Sequence, residues 1–157
     1  AKTMEAIEQT HYKVDAALKA GGDAIGAQTI IHTLPGMLPL SCNKTMNELF
    51  VKNAQIANPQ VNVKDAGHFS ASTDMGDVSH LMPVIHPFIG GVDGFLHTAD
   101  FHVVDFDAAV ILPAKAFAMM LVDLFADDAA EGKKILAEHK PLMTKKEYIE
   151  KLESYFS

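Results

Sequence analysis

The sequence predicts an α/β chain in which about five helices accompany two or three strands. Three observations lead to this prediction: a helical repeat of apolar residues near the start, a run rich in β-branched residues after it, and a long apolar segment later in the chain. With 157 residues, of which 48% are hydrophobic, the chain has the size of one ordinary domain and can bury a core.

The first two predicted elements are a helix and a strand. Apolar residues recur at spacings of three and four over residues 4–18, which is typical of one helix face, and Gly21 and Gly22 should end that helix. Residues 23–34 are rich in β-branched side chains and stop at the turn signal Pro35-Gly36, so they predict a strand. No predicted element covers the apolar face of the first helix. We therefore expect the chain to be the later part of a domain.

A second helix should begin at a cap formed by Asn43 and end near Asn58-Pro59. Short strands are predicted at residues 61–63, before a loop-rich region at residues 67–100, and at residues 83–89 within that region. The buried face of the helix should consist of Met46, Leu49, Phe50 and Ala54.

The last third of the sequence predicts three helices. The first is apolar on nearly every side, starts at Asp107 and ends near Ala126, with Pro113 tilting it unless the regular helix begins nearer Leu112. Residues 128–139 predict the second, and a capping box at Thr144 starts the third, over residues 145–156. Two or three strands are too few to cover a helix that is apolar on nearly every side. We therefore expect either an oligomer or a further part of the protein to cover it.

Charge and cysteine content exclude several classes of function. The formal net charge of −7 and the pI near 5.5 argue against a nucleic-acid partner. The single cysteine, Cys42, excludes an intramolecular disulfide and a cysteine-rich zinc site, so a reducing, cytoplasmic location is expected. We read the apolar segment at residues 108–126 as a core helix and predict no membrane partner, because Lys115 and Asp123 interrupt it.

Metal-ligand chemistry is concentrated in the middle of the chain. Imidazole and carboxylate are common metal ligands, but their spacing here matches no established motif. An alternative is that His80 and His86 are hydrogen-bonded core residues and that Asp74 and Asp77 cap a short helix. The residues concerned are His68, His80, His86, His97 and His102, together with Asp74, Asp77, Asp93 and Asp100.

The segment HFSASTDMGDVSHLMPVIHPFIGG at residues 68–91, followed by LHTADF at residues 96–101, resembles metallopeptidase family twenty. This family contains aminoacylase and carboxypeptidase-G-type amidohydrolases, and the closest resemblance is to its aminobenzoyl-glutamate hydrolase and cytosolic dipeptidase branch. The shared features occur in order: Ser-Thr-Asp, then Val-Ser-His with a following Pro, then a histidine before a small residue and an acidic-aromatic pair.

The resemblance implies a fold and a division of the chain. It implies the C-terminal part of a zinc-exopeptidase-type (phosphorylase/hydrolase-like) α/β catalytic domain at residues 37–157. Residues 1–36 would be the last helix and strand of a ferredoxin-like lid domain. Such a lid often mediates homodimerisation in the family, which makes a homodimer the expected assembly of the full-length protein.

The resemblance also assigns site residues. His97 matches the C-terminal metal-ligand histidine, while Thr73 and Asp74 match a segment that supports the site. Gly90 and Gly91 match positions where backbone approaches substrate, and His80 and His86 are possible site residues of unassigned role.

The remaining motifs of the family are absent from this sequence. These are the His-x-Asp metal motif, the bridging carboxylate and the Glu-Glu pair with the general base, all of which precede the lid. The full-length enzyme is therefore expected to hold two Zn²⁺ or Mn²⁺ ions and to hydrolyse a small amide substrate, with the N-terminal part as the partner that completes the site. This chain alone is expected to bind no metal and to be inactive. The rival hypotheses are a non-catalytic binding or dimerisation module and an unrelated small α/β protein with a histidine-rich mononuclear site.

Overall fold

The computed structural model describes residues 1–65, 67 and 71–156. Helices make up 56% of the structure, and in its described part the only sheet has two antiparallel strands of two residues each. The predicted α/β fold is therefore wrong. The architecture that the resemblance implied, a zinc-exopeptidase-type domain with the end of a ferredoxin-like lid, is wrong with it.

All three predicted strand segments, at residues 23–34, 61–63 and 83–89, lack strand structure. The physical reason is that β-branched residues favour a strand only when a neighbouring strand offers hydrogen bonds and packing. In the first segment Ile25, Ile30 and Leu34 are 82%, 69% and 76% exposed. A segment that is rich in β-branched residues but has no partner strand therefore does not form a strand.

The chain divides into two compact units, each assembled from separate stretches of sequence. The first unit consists of Ala1–Ser41, Ala66–Leu81 and Pro141–Ser157. The second consists of Cys42–Asp65 and Met82–Lys140. The predicted division at residue 36 into a lid part and a catalytic part stays a prediction.

The first unit contains helices α1 (Met4–Ala24), α3 (Met75–Leu81) and α5 (Lys145–Ser154). Thr3 caps α1 by accepting a hydrogen bond from the backbone of Ala6. The helix continues through the two glycines that were predicted to end it, because the turn comes later, at Gly26 with φ of +72°.

The second unit is built on helices α2 (Lys44–Ala57) and α4 (Leu112–Glu138), which pack against each other. Asn43 caps α2 as predicted, by accepting a hydrogen bond from the Met46 backbone. The core contains Phe50, Ala54, Ala116 and Met120, surrounded by the partly buried Met46, Leu49, Val61, Ile85, Ile89 and Leu124. The predicted buried face of α2 is therefore confirmed.

A wide π-helical turn, Asp107–Ile111, precedes α4. The Leu112 amide donates to the carbonyl of Asp107, five residues back, and Pro113 follows within the first turn of the α-helix. A proline is tolerated there because the first amides of an α-helix have no acceptor within the helix. The regular helix thus begins near Leu112, as one of the two sequence readings of Pro113 anticipated.

The backbone of α4 breaks at residues 126–129. Ala126 is extended, and Asp127, Asp128 and Ala129 all have positive φ, between 50° and 57°. The sequence predicted two helices meeting here, and the break confirms that boundary. Left-handed conformation costs about 1–2 kcal/mol for each residue with a Cβ atom, so this turn holds considerable strain.

Only one side of α4 lies in the core. Leu121, Val122 and Phe125 are 54%, 67% and 70% exposed. Within the described residues, Asp107–Glu138 is the one helical segment long and apolar enough to cross a membrane, a test that core helices of soluble proteins also pass. The core-helix prediction therefore holds for the face with Ala116 and Met120 but not for the opposite face.

Candidate functional site

A short hairpin in the second unit carries the predicted metal ligand. Strand β1 (Val92–Asp93) pairs with strand β2 (His102–Val103), and Val92 lies opposite Val103. Gly94, with φ of +85°, turns the chain out of β1, and the Asp93 carboxylate accepts a hydrogen bond from its amide. Eight residues, 94–101, form the loop between the strands.

His97 lies in this loop with φ of +65°, a conformation in which histidine is found more often than most residues. Its side chain is exposed, and its ring forms no hydrogen bond to any residue in the described part of the chain. The imidazole is therefore accessible to a ligand that approaches from outside the hairpin.

The polar residues beyond His97 bond to one another. The Thr98 hydroxyl lies 2.6 Å from the carbonyl oxygen of Phe95 and also contacts the Asp100 carboxylate. The hydrogen bond from Thr98 is the main reason why the pKa of Asp100 lies below its usual value. Asp100 is thus held as a carboxylate within its own loop.

His102 is a second exposed imidazole in the same hairpin. It was among the potential metal ligands in the sequence, but the resemblance assigned it no role. Its Nδ1 lies 2.6 Å from the carbonyl oxygen of Asp100. Because a carbonyl can only accept, Nδ1 carries the proton and Nε2 has the free lone pair, which is the arrangement of many metal-bound histidines. In the sequence, His102 is indicated by its close spacing to His97. Such spacing does not by itself distinguish metal ligands from surface residues.

Gly90 and Gly91, predicted to lie near substrate, differ in their surroundings. A Cβ atom on Gly90 would meet nothing within 4 Å, whereas one on Gly91 would lie 2.6 Å from the Asp105 oxygen and 2.7 Å from the Ala109 nitrogen. The Gly91 carbonyl also accepts the amides of Val104 and Asp105. In this structure Gly91 joins the hairpin to the π-helical turn.

Thr73 and Asp74 form the start of α3 in the first unit. The Thr73 carbonyl accepts the Gly76 amide at 2.9 Å, and the Asp74 carbonyl accepts the Asp77 amide at 3.1 Å. The Thr73 hydroxyl lies 3.2 Å from the Asp74 carboxylate, which is exposed. Their local role is therefore to start a helix, in the region where the alternative interpretation placed a helix cap.

The buried face of α3 consists of Gly76, Ser79 and His80, which holds the extended segment at residues 38–41. Gly76 contacts the carbonyl of Leu38, and the Ser79 hydroxyl accepts the Ser41 amide at 3.0 Å. Ser79 and His80 follow Gly76 by three and four residues, and this spacing places all three on one side of the helix.

His80 is 4% exposed, and its Nε2 donates to the Pro39 carbonyl at 2.9 Å. This leaves the lone pair on Nδ1, a buried atom with no hydrogen-bond partner among the described residues. The geometry is that of the hydrogen-bonded core residue that was the alternative to a site role, because the residue is buried and its Nε2 is bonded to backbone.

His86 and Cys42 lie together in the second unit. The His86 ring meets the Phe88 ring edge-on, with centroids 5.5 Å apart. Burial raises the pKa of the Cys42 thiol, and a hydrogen bond from the His86 backbone partly offsets that effect. The raised pKa disfavours the thiolate, which is the reactive form of a nucleophilic cysteine.

The potential metal ligands among the described residues are not clustered. No group of three or more His, Cys, Asp or Glu side chains in residues 1–65, 67 and 71–156 is arranged to hold a metal ion. The predicted site residues are also divided: Thr73, Asp74 and His80 belong to the first unit, while His86, Gly90, Gly91 and His97 belong to the second. His68 lies outside the described residues.

A cleft of about 400 Å³ is present in the first unit, between the end of α3 and the start of α5. None of the predicted site residues lines it. Its walls are formed by Leu81, Pro141, Leu142, Met143, Thr144, Lys145 and Glu147.

Comparison with known proteins identifies no relative. No protein-family model, no curated protein sequence and no solved structure matches the chain.

Proposed function

We propose that this chain is the C-terminal part of a cytoplasmic, metal-dependent amidohydrolase that cleaves small N-acyl amino acid or dipeptide-like substrates. The observation that carries the proposal is the ordered series of segments at residues 72–74, 78–80 and 96–101, which resembles metallopeptidase family twenty. A single cysteine, and therefore no intramolecular disulfide, supports the cytoplasmic location.

His97 is the residue through which the chain contributes to the metal centre in this proposal. Two observations support this role: its side chain is exposed, and its ring has no hydrogen-bond partner in the described part of the chain. One imidazole binds a metal weakly, because a catalytic zinc takes three protein ligands. The other ligands of the two Zn²⁺ or Mn²⁺ ions, and the general base, belong to the remainder of the protein, and the proposal assigns no catalytic step to this chain alone.

The test compares the 157-residue chain, the full-length protein and full-length variants at His97. We expect the short chain to retain no stoichiometric Zn²⁺ or Mn²⁺ after dialysis and to leave N-acyl amino acids and dipeptides uncleaved. The full-length protein should retain metal and cleave at least one of these substrates. His97→Asn should lower both metal content and turnover, since asparagine tolerates the left-handed backbone but lacks the imidazole.

The matched control is His11→Ala, which removes an exposed histidine from α1. It should leave metal content and turnover unchanged. Stoichiometric metal and turnover in the short chain would contradict the proposal that the site is incomplete. Full activity in the His97→Asn enzyme would contradict the ligand assignment.

A non-catalytic binding or dimerisation module is the second candidate, and the exposed apolar face of α4 favours it. Phe117, Leu121 and Phe125 are 40%, 54% and 70% exposed on that helix. Exposed apolar patches of this kind are typical of interaction surfaces. A full-length protein that binds no metal but forms a stable complex through this face would favour the module.

A further inference from the structure

The break in α4 at residues 126–129 consists of two alanines and two aspartates. Three consecutive residues, Asp127, Asp128 and Ala129, adopt left-handed conformations, and no glycine is present at the turn. We propose that residues 126–129 form a strained hinge between the bent α4 of this structure and a straight α4 of 27 residues. This inference is independent of the proposed amidohydrolase function.

Backbone geometry favours the straight helix, because a left-handed conformation is costly for residues with a Cβ atom. The sequence of the turn and its surroundings is Ala-Asp-Asp-Ala-Ala-Glu, in which alanine is the strongest helix former, glutamate is a good one and aspartate is a weaker one. Asparagine or glycine usually occupies a left-handed position at a helix end, and neither occurs here. Straightening would return all four residues of the turn to right-handed geometry and would release their strain.

The two halves of the helix approach each other closely in the bent form. A Cβ atom on Gly132 would lie 2.9 Å from the carbonyl oxygen of Leu124. In a straight α-helix, eight residues separate the two positions by about 12 Å along the axis. The close approach therefore exists only because the chain bends, and it depends on the missing side chain of Gly132.

Burial of Ile135 also favours the bent form. Ile135 is 4% exposed, while the neighbouring Leu136 is 63% exposed. The ion pair between Lys133 and Asp128 adds little, because both side chains are largely exposed. If Ile135 loses this burial when the helix straightens, the bent state combines apolar burial with backbone strain, and the straight state gives up both.

The hinge can be tested by measuring a distance across it in the full chain. Spin labels at Ala114→Cys and Glu138→Cys, both exposed positions, would be about 36 Å apart along a straight helix and clearly closer in the bent one. Cys42→Ser removes the native thiol from the labelled protein. Double electron–electron resonance should show a major short distance and a minor long one.

Two variants should shift these populations in opposite directions. Gly132→Ala places a methyl group against the Leu124 carbonyl in the bent form only, and should raise the long-distance fraction several-fold. Ala129→Gly removes strain from the bent form and weakens the straight helix, so the ratio of long to short distances should fall by roughly thirtyfold or more.

Ala130→Gly is the matched control, because Ala130 follows the break and lies in right-handed helix. Glycine there weakens the helix in both states and should leave the ratio unchanged. A single short distance that Gly132→Ala does not lengthen would overturn the hinge and identify a static turn. Equal effects of glycine at positions 129 and 130 would also overturn it.

Discussion

Gly90 and Gly91 are adjacent glycines that the sequence does not distinguish but the structure does. Gly91 has φ of +84° and lies against the backbone of Asp105 and Ala109, while Gly90 faces open space. A side chain at position 91 would meet rigid backbone atoms and a strained conformation at once. The hairpin with His97 and the π-helical turn are connected through this contact.

Replacement of Gly91 by alanine should therefore destabilise the protein by roughly 2 kcal/mol, as strained backbone positions commonly do. Gly90→Ala should change stability by less than about 0.5 kcal/mol. Urea denaturation followed by circular dichroism measures both values. Equal stability of the two variants would show that the approach of Gly91 to Asp105 does not matter for folding.

The environment of a single residue was the hardest feature to predict from sequence. His80 was a possible site residue because it lies beside other histidines and acids, but its Nε2 bonds to Pro39, 41 residues earlier in the chain. Neither the composition of the sequence nor the spacing of its residues identifies Pro39 as the partner of His80. His97 was chosen through the resemblance alone, and its accessibility became visible only with the hairpin.

Individual helices were far more predictable than strands. The caps at Asn43 and Thr144 and the boundary near Ala126 follow from residues within four positions of each other, so local pattern suffices to find them. Strands depend on partners distant in sequence. Of the two short strands that do form, β1 lies in the region predicted to be loop, and β2 follows directly after it. The apolar, β-branched segments that looked most like strands have no partner strand in the described part of the chain.

Helix α5 offers a test of local capping. The Thr144 hydroxyl accepts the Glu147 amide, and the Glu147 carboxylate accepts the Thr144 amide at 2.6 Å. Thr144→Ala should cost about 1 kcal/mol in thermal or urea unfolding. Thr10→Ala, at an exposed position inside α1, is the control and should be neutral or slightly stabilising.

The same capping box predicts a pH dependence. Hydrogen bonds from Thr144 lower the pKa of Glu147 in the folded protein. A lowered pKa contributes stability above the unfolded value of a glutamate, about 4.3, and that contribution is lost as the pH falls through the folded pKa. The difference in stability between wild type and Glu147→Gln, which removes the titrating carboxylate that accepts the Thr144 amide, should therefore shrink in acid. A difference that stays constant from neutral to strongly acidic pH would contradict this.

At the scale of the whole molecule, the chain passes between its two compact units four times. The core of the second unit is small, and Met120 is 3% exposed at its centre. Met120→Ala should cost about 2–5 kcal/mol, the usual range for removing a large buried side chain. Leu121→Ala, at the neighbouring exposed position, should cost far less.

Hydrogen exchange can locate the effect of Met120→Ala. Amide protection should fall first in α2 and α4, which share the core around Met120. Helices α1 and α5, in the first unit, should lose less protection. A uniform loss over all helices would show that the two units unfold as one.

The π-helical turn at Asp107–Ile111 has a consequence for how this protein tolerates changes in length. Such a turn usually contains one more residue than the α-helical turn it replaces. A single-residue deletion at Val110 could therefore be absorbed by conversion to ordinary α-helix, with Leu112 and the core face of α4 left in place. A deletion at Ala118, in regular α-helix, cannot be absorbed in this way. It would rotate Met120 by about 100° relative to the preceding turns. Length variation among natural versions of this chain would accordingly be expected at the start of α4 and not within its core-facing turns.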